Sequence, residues 1–146
     1  SNFDFKKFHP SGSLGVKLRT VDDLMLKNDK IPFIDENTTM EKALKIMTKK
    51  KLGTLIAINK KKHTTGIITD GQIRRFNLKN INLNSLLVKN VMTKKPIKVE
   101  KNTLATKALS IMNDKKITSL CVYDLKKKDL TIGIIHVHNI LNEKIY

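Results

Sequence analysis

His136-Val137-His138 sets two imidazoles on alternate residues, which share one face when the chain is extended. Such a pair can line a ligand cleft as titratable groups or serve as two ligands to a metal. No carboxylate or thiolate stands nearby to complete a metal set of ordinary ligand number. We therefore read the pair as cleft lining, with a structural role for one of the two, and assign no metal site. Arg74-Arg75 supplies two guanidinium groups, each able to grip a carboxylate or phosphate at two points. Adjacent residues of a helix cannot face the same way, so at most one of them points at a ligand. Cys121 is the only cysteine and lies in an apolar run, which excludes a disulfide framework and reads as a buried thiol rather than a nucleophile. His63 sits in a lysine-rich turn and needs no role.

The elements that must position these groups occur twice. Residues 34–59 lie over residues 99–124 at a constant offset of 65, with 10 of 26 positions identical, among them Ala43/Ala108, Leu44/Leu109, Met47/Met112 and Leu55/Leu120. After a two-residue insertion Gly66-Ile67-Ile68 matches Gly133-Ile134-Ile135, and upstream Val21–Met25 matches Val88–Met92. Each copy reads as strand, helix, strand, strand, helix. Met40, Ala43, Leu44 and Met47 form one apolar helical stripe, repeated by Ala105, Ala108, Leu109 and Met112. Thr38 is expected to cap the first helix with Glu41 completing a capping box, and Thr103 to cap its counterpart. Strands are expected over 54–58 and 119–123, then a second strand opened by Gly66 or Gly133. Closing helices are expected over 71–76 and 138–144. A duplicated unit of this kind implies a pseudo-two-fold pair sharing a core, with a cleft for a ligand.

Composition limits the partners. The formal charge is +16, but 26 of the 29 basic residues are lysine, and the runs Lys49–Lys51, Lys60–Lys62 and Lys126–Lys128 fall at expected helix ends and turns. Arginine, the residue favoured for two-point recognition of phosphates and bases, is scarce, and tryptophan is absent. Nucleic acid is therefore not the expected partner. No segment approaches the ~20 apolar residues of a membrane span, so no membrane partner is expected either. The chain opens on Ser1-Asn2 and reads as a piece of a longer, cytoplasmic protein.

The two matched strand–turn–helix stretches, Gly66–Ile73 and Gly133–Ile140, resemble a tandem pair of CBS domains, a Bateman module, over residues 21 to about 144. The leader His9-Pro10-Ser11-Gly12-Ser13-Leu14-Gly15 is similar to the segment that joins a sugar isomerase (SIS) domain to the CBS pair in D-arabinose 5-phosphate isomerases. Val21-Asp22-Asp23-Leu24-Met25, Lys51-Leu52-Gly53, Thr69-Asp70-Gly71, Val91-Met92-Thr93 and Ile117-Thr118-Ser119 fit the same family. The resemblance implies an α/β fold of two βαββα-like repeats: a leader from a missing SIS domain over 1–20, and CBS domains over 21–80 and 81–146. It implies a parent enzyme interconverting ribulose 5-phosphate and arabinose 5-phosphate in Kdo synthesis for lipopolysaccharide or capsule. It also implies an acid–base role for His9 once the SIS domain is present; the chain alone is expected to catalyse nothing and to need no cofactor.

In that family the strand–turn–helix stretch builds a nucleotide site, which implies ligand contacts at Thr69, Asp70, Gln72, Arg74 and Arg75 in the first copy. In the second copy it implies Thr118, Ser119, His136, His138 and Asn139. Gln72 and Asn139 replace the carboxylate that would hold both ribose hydroxyls, and an amide offers fewer acceptor sites. A nucleotide-sugar effector such as CMP-Kdo fits better than an ordinary adenosine nucleotide. Two alternatives stand beside it: a structural dimerisation module with degenerate sites, and an adenosine-nucleotide sensor on another enzyme. Homo-oligomers are expected, a dimer of CBS pairs and a tetramer as one assembly open to the parent. The last helix is expected to expose Ile140, Leu141 and Ile145 for that contact.

Overall fold

A computed structural model describes residues 18–143. The described chain runs, in order, through α1 (Val21–Leu24), a 3-10 turn (Asn28–Lys30), β1 (Phe33–Asp35), α2 (Met40–Lys50), β2 (Thr54–Ile58), β3 (Thr64–Thr69) and α3 (Asp70–Leu78). There follow α4 (Val88–Val91), β4 (Thr93–Lys94), β5 (Lys98–Glu100), α5 (Ala105–Lys115), β6 (Ser119–Tyr123), β7 (Gly133–His136) and α6 (Val137–Leu141). The fold is mixed α/β, and each sequence copy takes the order strand, helix, strand, strand, helix. No helix among the described residues is long and apolar enough to cross a membrane.

These elements form two compact units that are cut differently from the sequence copies. The first unit holds residues 29–97 with 129–131; the second holds 98–128 and 132–143 together with 18–28. Each unit therefore combines one copy with the short helix that precedes the other copy in the chain. In the first unit the sheet order is β1-β2-β3-β4, with β1 parallel to β2 and the other pairs antiparallel. The second unit repeats this with β5-β6-β7, and a single antiparallel bridge from Leu26 to Ile134 stands where β4 stands in the first.

Each core is the apolar stripe of one long helix laid on one face of its sheet. Met40, Ala43 and Met47 pack with Leu55, Ala57 and Ile68; Ala105, Ala108 and Met112 pack with Leu120, Val122 and Ile135. The two cores trade volume: Met40 faces Ala57 in one set where Ala105 and Val122 hold the same places in the other, so a large–small pair becomes a small–medium one. Met47 and Met112 are both buried, as the shared stripe required.

The helix starts differ from the sequence reading by one residue. Thr39, not Thr38, caps α2, its hydroxyl accepting from the Lys42 amide at 3.4 Å, and Glu41 completes no box. Leu104, not Thr103, occupies the matching place before α5 and offers no side-chain cap. Thr38 and Thr103 instead turn the chain one step earlier, where their amides donate to the Asp35 and Glu100 carbonyls. β3 opens at Thr64, two residues before Gly66, whereas β7 does open at Gly133. The closing helices span Asp70–Leu78 and Val137–Leu141, and Lys144 lies outside the described residues. Both long helices end on a lysine in the left-handed region, Lys51 at φ 59° and Lys116 at φ 57°, and Lys49, Lys50 and Lys115 place positive charge on the last-turn carbonyls.

The preceding short helix is locked to each sheet by a methionine lying over a glycine. A Cβ on Gly66 would come within 2.6 Å of Met92 Cγ and 2.9 Å of the Thr93 carbonyl oxygen. The three atoms nearest to a Cβ on Gly133 all belong to the Met25 side chain. Met92 and Met25 end the repeated VxxLM/VxxVM segments, so this contact explains why glycine and methionine recur together. Gly66→Ala is expected to destabilise the first unit by about 1–3 kcal/mol, because backbone as well as a flexible side chain must move. Gly133→Ala should cost less, since the flexible Met25 side chain can swing aside, and less again when measured against Met25→Ala, where the clash is gone. Urea denaturation of the single variants and of the Met25→Ala/Gly133→Ala pair tests this; equal costs at both glycines would refute the distinction.

Candidate functional site

The predicted ligand residues cluster at two strand-to-helix corners, one in each unit. At the first, β3 runs without a loop into α3, and Thr69 is the N-cap. Its hydroxyl accepts from the Gln72 amide at 3.4 Å, while Gln72 Oε1 accepts from the Thr69 amide at 2.8 Å. Gln72 is buried, and its Nε2 donates to the Thr93 hydroxyl on β4. The Gln72 side chain, expected from the resemblance at a ligand position, is thus spent on holding the corner together. Asp70 opens α3 on its exposed side, its amide donating to the Gly53 carbonyl at 3.0 Å. Gly53 sits at φ +68°, and a Cβ there would press to 2.6 Å from Asp70 Oδ2, so glycine is required on both counts.

Arg74 and Arg75 are both exposed. As adjacency on a helix demands, they diverge. Arg75 lines a small cavity of about 200 Å³ with Gln72, Phe76 and Lys79, and Arg74 does not.

At the second corner β7 runs into α6, and His136 is the N-cap. Asn139 Oδ1 accepts from the His136 amide at 2.7 Å, the same reach-back that Gln72 makes. His136 Nδ1 accepts from the His138 amide at 3.1 Å, which fixes the ring as the neutral tautomer with its proton on Nε2. The two imidazoles stack, their centroids 4.8 Å apart and planes 23° from parallel. Burial, and then the neighbouring His138, push the His136 pKa below the ordinary histidine value. His138 is exposed and Asn139 half-buried.

Opposite this corner, Ser119 pairs with His136 across the antiparallel β6–β7 ladder, so the two side chains share a face of the sheet. The Ser119 hydroxyl is buried and has no hydrogen-bond partner among the described residues. Thr118 is exposed, and its carbonyl accepts from the Val137 amide at 2.8 Å.

Among the described residues no group of three or more His, Cys, Asp or Glu side chains is placed to hold a metal. His63 is half-buried in its turn, and Cys121 is buried on β6. His9, the candidate acid–base group, lies outside the described residues.

The second unit also carries a groove of about 450 Å³ between α5 and α6, walled by Leu109, Met112, Ile117, Val137 and Leu141, with Asn113, Lys116 and Thr118 also lining it. Ile140, read from sequence as exposed, is fully buried in the core, because α6 turns that side inward; Leu141 alone of the expected trio is seen exposed, and Ile145 lies outside the described residues. The matching positions to Val137 and Leu141 in the first unit are Asp70 and Arg74.

Sequence reasoning missed Thr93, the partner of Gln72. The available signal was its place directly after the repeated VxxVM segment, which the swap of short helices carries onto β3. Gln72→Leu is expected to cost about 1–3 kcal/mol, because the half-buried Thr69 amide loses the acceptor that closes the corner. Thr69→Ala should cost about 1 kcal/mol, the ordinary value of a cap. The double variant should fall short of the sum, since both changes break one network. Additive costs in urea denaturation would show that the corner is not coupled.

Comparison with known proteins matches this architecture. The family model for the CBS domain matches residues 21–79 and again 88–146. Arabinose 5-phosphate isomerase KdsD of Yersinia pestis is 36% identical over 139 residues, covering 94% of this chain and 42% of that protein. An uncharacterized protein of Rickettsia prowazekii is also 36% identical over 139 residues, covering 95% of this chain and 42% of its own length. The chain thus spans less than half the length of these curated relatives. Among solved structures, CBSX2 of Arabidopsis thaliana in complex with AMP superimposes with a TM-score of 0.74 at 22% identity, covering 84% of this chain and 93% of that one. With two matched copies, both sheets and both corners in place, the chain belongs to the CBS domain family as a tandem CBS pair, homologous to the CBS-containing region of the KdsD arabinose 5-phosphate isomerases.

Proposed function

We propose that this CBS pair is the regulatory part of a D-arabinose 5-phosphate isomerase and binds an anionic nucleotide or nucleotide-sugar effector, with CMP-Kdo the favoured candidate. The buried, unpartnered Ser119 hydroxyl carries the ligand-binding reading. A buried hydroxyl without a partner costs roughly 1–3 kcal/mol, and a ligand oxygen would remove that cost. Ser119 shares its sheet face with His136, whose Nε2–H is a free donor in the tautomer fixed by the cap. Thr118, His138 and Asn139 stand beside them as further polar groups. The AMP complex of the CBSX2 neighbour supports nucleotides as the ligand class.

A sugar nucleotide such as CMP-Kdo shares its ribose diol with an adenosine nucleotide and differs from it by the sugar carboxylate. Gln72 and Asn139 are the only side chains at the diol-binding places, and both carbonyl oxygens already accept from a backbone amide. The phosphate and the sugar carboxylate ask for separated donors, which Ser119 and the His136 Nε2–H supply in the second unit. The parent's isomerisation is proposed from the relatives alone, with His9 as a group passing protons between adjacent carbons and oxygens near neutrality.

A structural dimerisation module remains the second reading, favoured by the α5–α6 groove and by the exposed Leu141 on its wall. Mutual repulsion from the +16 charge opposes such contact, so self-association through this face should strengthen as salt rises. Sedimentation at low and high salt checks it.

Thermal-shift measurements with CMP-Kdo, CMP, AMP and ATP decide among these readings. A ligand at 100 times its dissociation constant adds about 2.7 kcal/mol to the folded state, which raises the melting temperature by several degrees. CMP-Kdo should give the largest shift, and Ser119→Ala or His136→Ala should reduce it while alanine at Lys60–Lys62 should not. A larger shift with AMP would favour the adenosine sensor, and none with any nucleotide would favour the structural module.

A further inference from the structure

The two corners are built alike and capped differently. Thr69 caps α3 with a hydroxyl that does not titrate, whereas His136 caps α6 with a ring nitrogen that does. The cap exists only while Nδ1 is unprotonated, because an imidazolium has no acceptor and would turn an N–H toward the His138 amide. α6 is only five residues long, and a helix of that length depends on its cap and on packing rather than on its own hydrogen bonds. It is nonetheless the element that inserts Ile140 into the core and walls the α5–α6 groove with Val137 and Leu141.

We propose that His136 is an acid-released latch: protonation removes the N-cap of α6, loosens that helix from the second unit, and leaves the first unit, capped by Thr69, unaffected.

No counter-charge protects the ring. β6 places Ser119 opposite it, and α6 adds His138, stacked at 4.8 Å, which repels a second positive charge. α5, packed against α6, carries Asp114, Lys115 and Lys116 at its C-terminal end. α1, packed against β7, carries Asp22 and Asp23. Asp22 pairs with Lys27 at 3.4 Å, and Asp23 accepts from the Thr20 amide at 2.8 Å beside Arg19. His138 acts on the His136 equilibrium in the same direction as burial. The sign follows. With its folded-state pKa below the ordinary value, His136 contributes stability that is present above about pH 6.5 and is lost as pH falls through its folded pKa, because the unfolded chain takes up the proton first.

The test needs no ligand, so it stands or falls apart from the effector reading. Long-range proton–nitrogen spectra of the imidazoles in the ¹⁵N-labelled chain should show His136 at pH 7.5 as the Nε2–H tautomer. Its midpoint should lie below that of an ordinary histidine, and the His138 amide shift should move with the same midpoint. Melting temperature should drop by about 2–6 °C between pH 7.5 and 5, and His136→Thr, copying the other corner, should at least halve the drop. His63→Ala should keep it, and His138→Ala should reduce it only in part, since burial still lowers the His136 pKa. An Nδ1–H tautomer, a midpoint at or above about 6.5, or an unchanged drop in folded His136→Thr overturns the latch. Should that variant fail to fold, the wild-type spectra decide alone.

Discussion

A strand that runs directly into a helix leaves the first helical amides and the last strand amide without partners at one point, and this chain solves that problem the same way in both units. The side chain three residues into the helix reaches back to the amide of the residue that ends the strand, Gln72 to Thr69 and Asn139 to His136. The rest of each unit hangs on that closure. It sets where β3 and β7 stop, aims α3 and α6 off the sheet edge, and so fixes where Ile73 and Ile140 meet the core. A looser connection would let the strand slip, and a one-residue slip reverses every side chain on it.

The second constraint is the exchange of short helices. α1 belongs to the unit formed by the second copy and α4 to that formed by the first, and each ends on a methionine over the glycine of the receiving strand. Neither copy has a complete core without the borrowed segment: Val88 and Val91 fill one, Val21 and Met25 the other. The exchange also has a local consequence for the site. It brings Thr93 beside β3, where its hydroxyl accepts from Gln72 Nε2. The first corner is thereby closed on itself, while the second keeps a buried hydroxyl at Ser119 and a titratable cap.

Duplication therefore preserved geometry and released chemistry. The bond from the third helical side chain survives whether that side chain is Gln or Asn, and the equivalent turn before each long helix survives as Asp35 to the Asn37 amide or Glu100 to the Asn102 amide. Positions outside such bonds diverged. Asp70 and Arg74 became Val137 and Leu141, turning a charged helix flank into the wall of an apolar groove.

The repeat, the order of elements and the buried methionine stripes were legible in the chain because they rest on periodicity, which burial of one face imposes on any sequence. The site was legible only as a set of positions. Thr69, Gln72, His136 and Asn139 lie three apart in sequence, yet spacing could not say that their polar atoms face one another rather than a ligand. The cap expected at Thr38 falls instead at Thr39, since adjacent threonines offer the same hydroxyl and only backbone direction chooses between them. Tertiary structure alone decided that Ile140 is core and Leu141 exposed, that α1 and α4 change places, and that Ser119 is buried without a partner. Each of these depends on contacts between residues far apart in the chain, whose register no local pattern encodes.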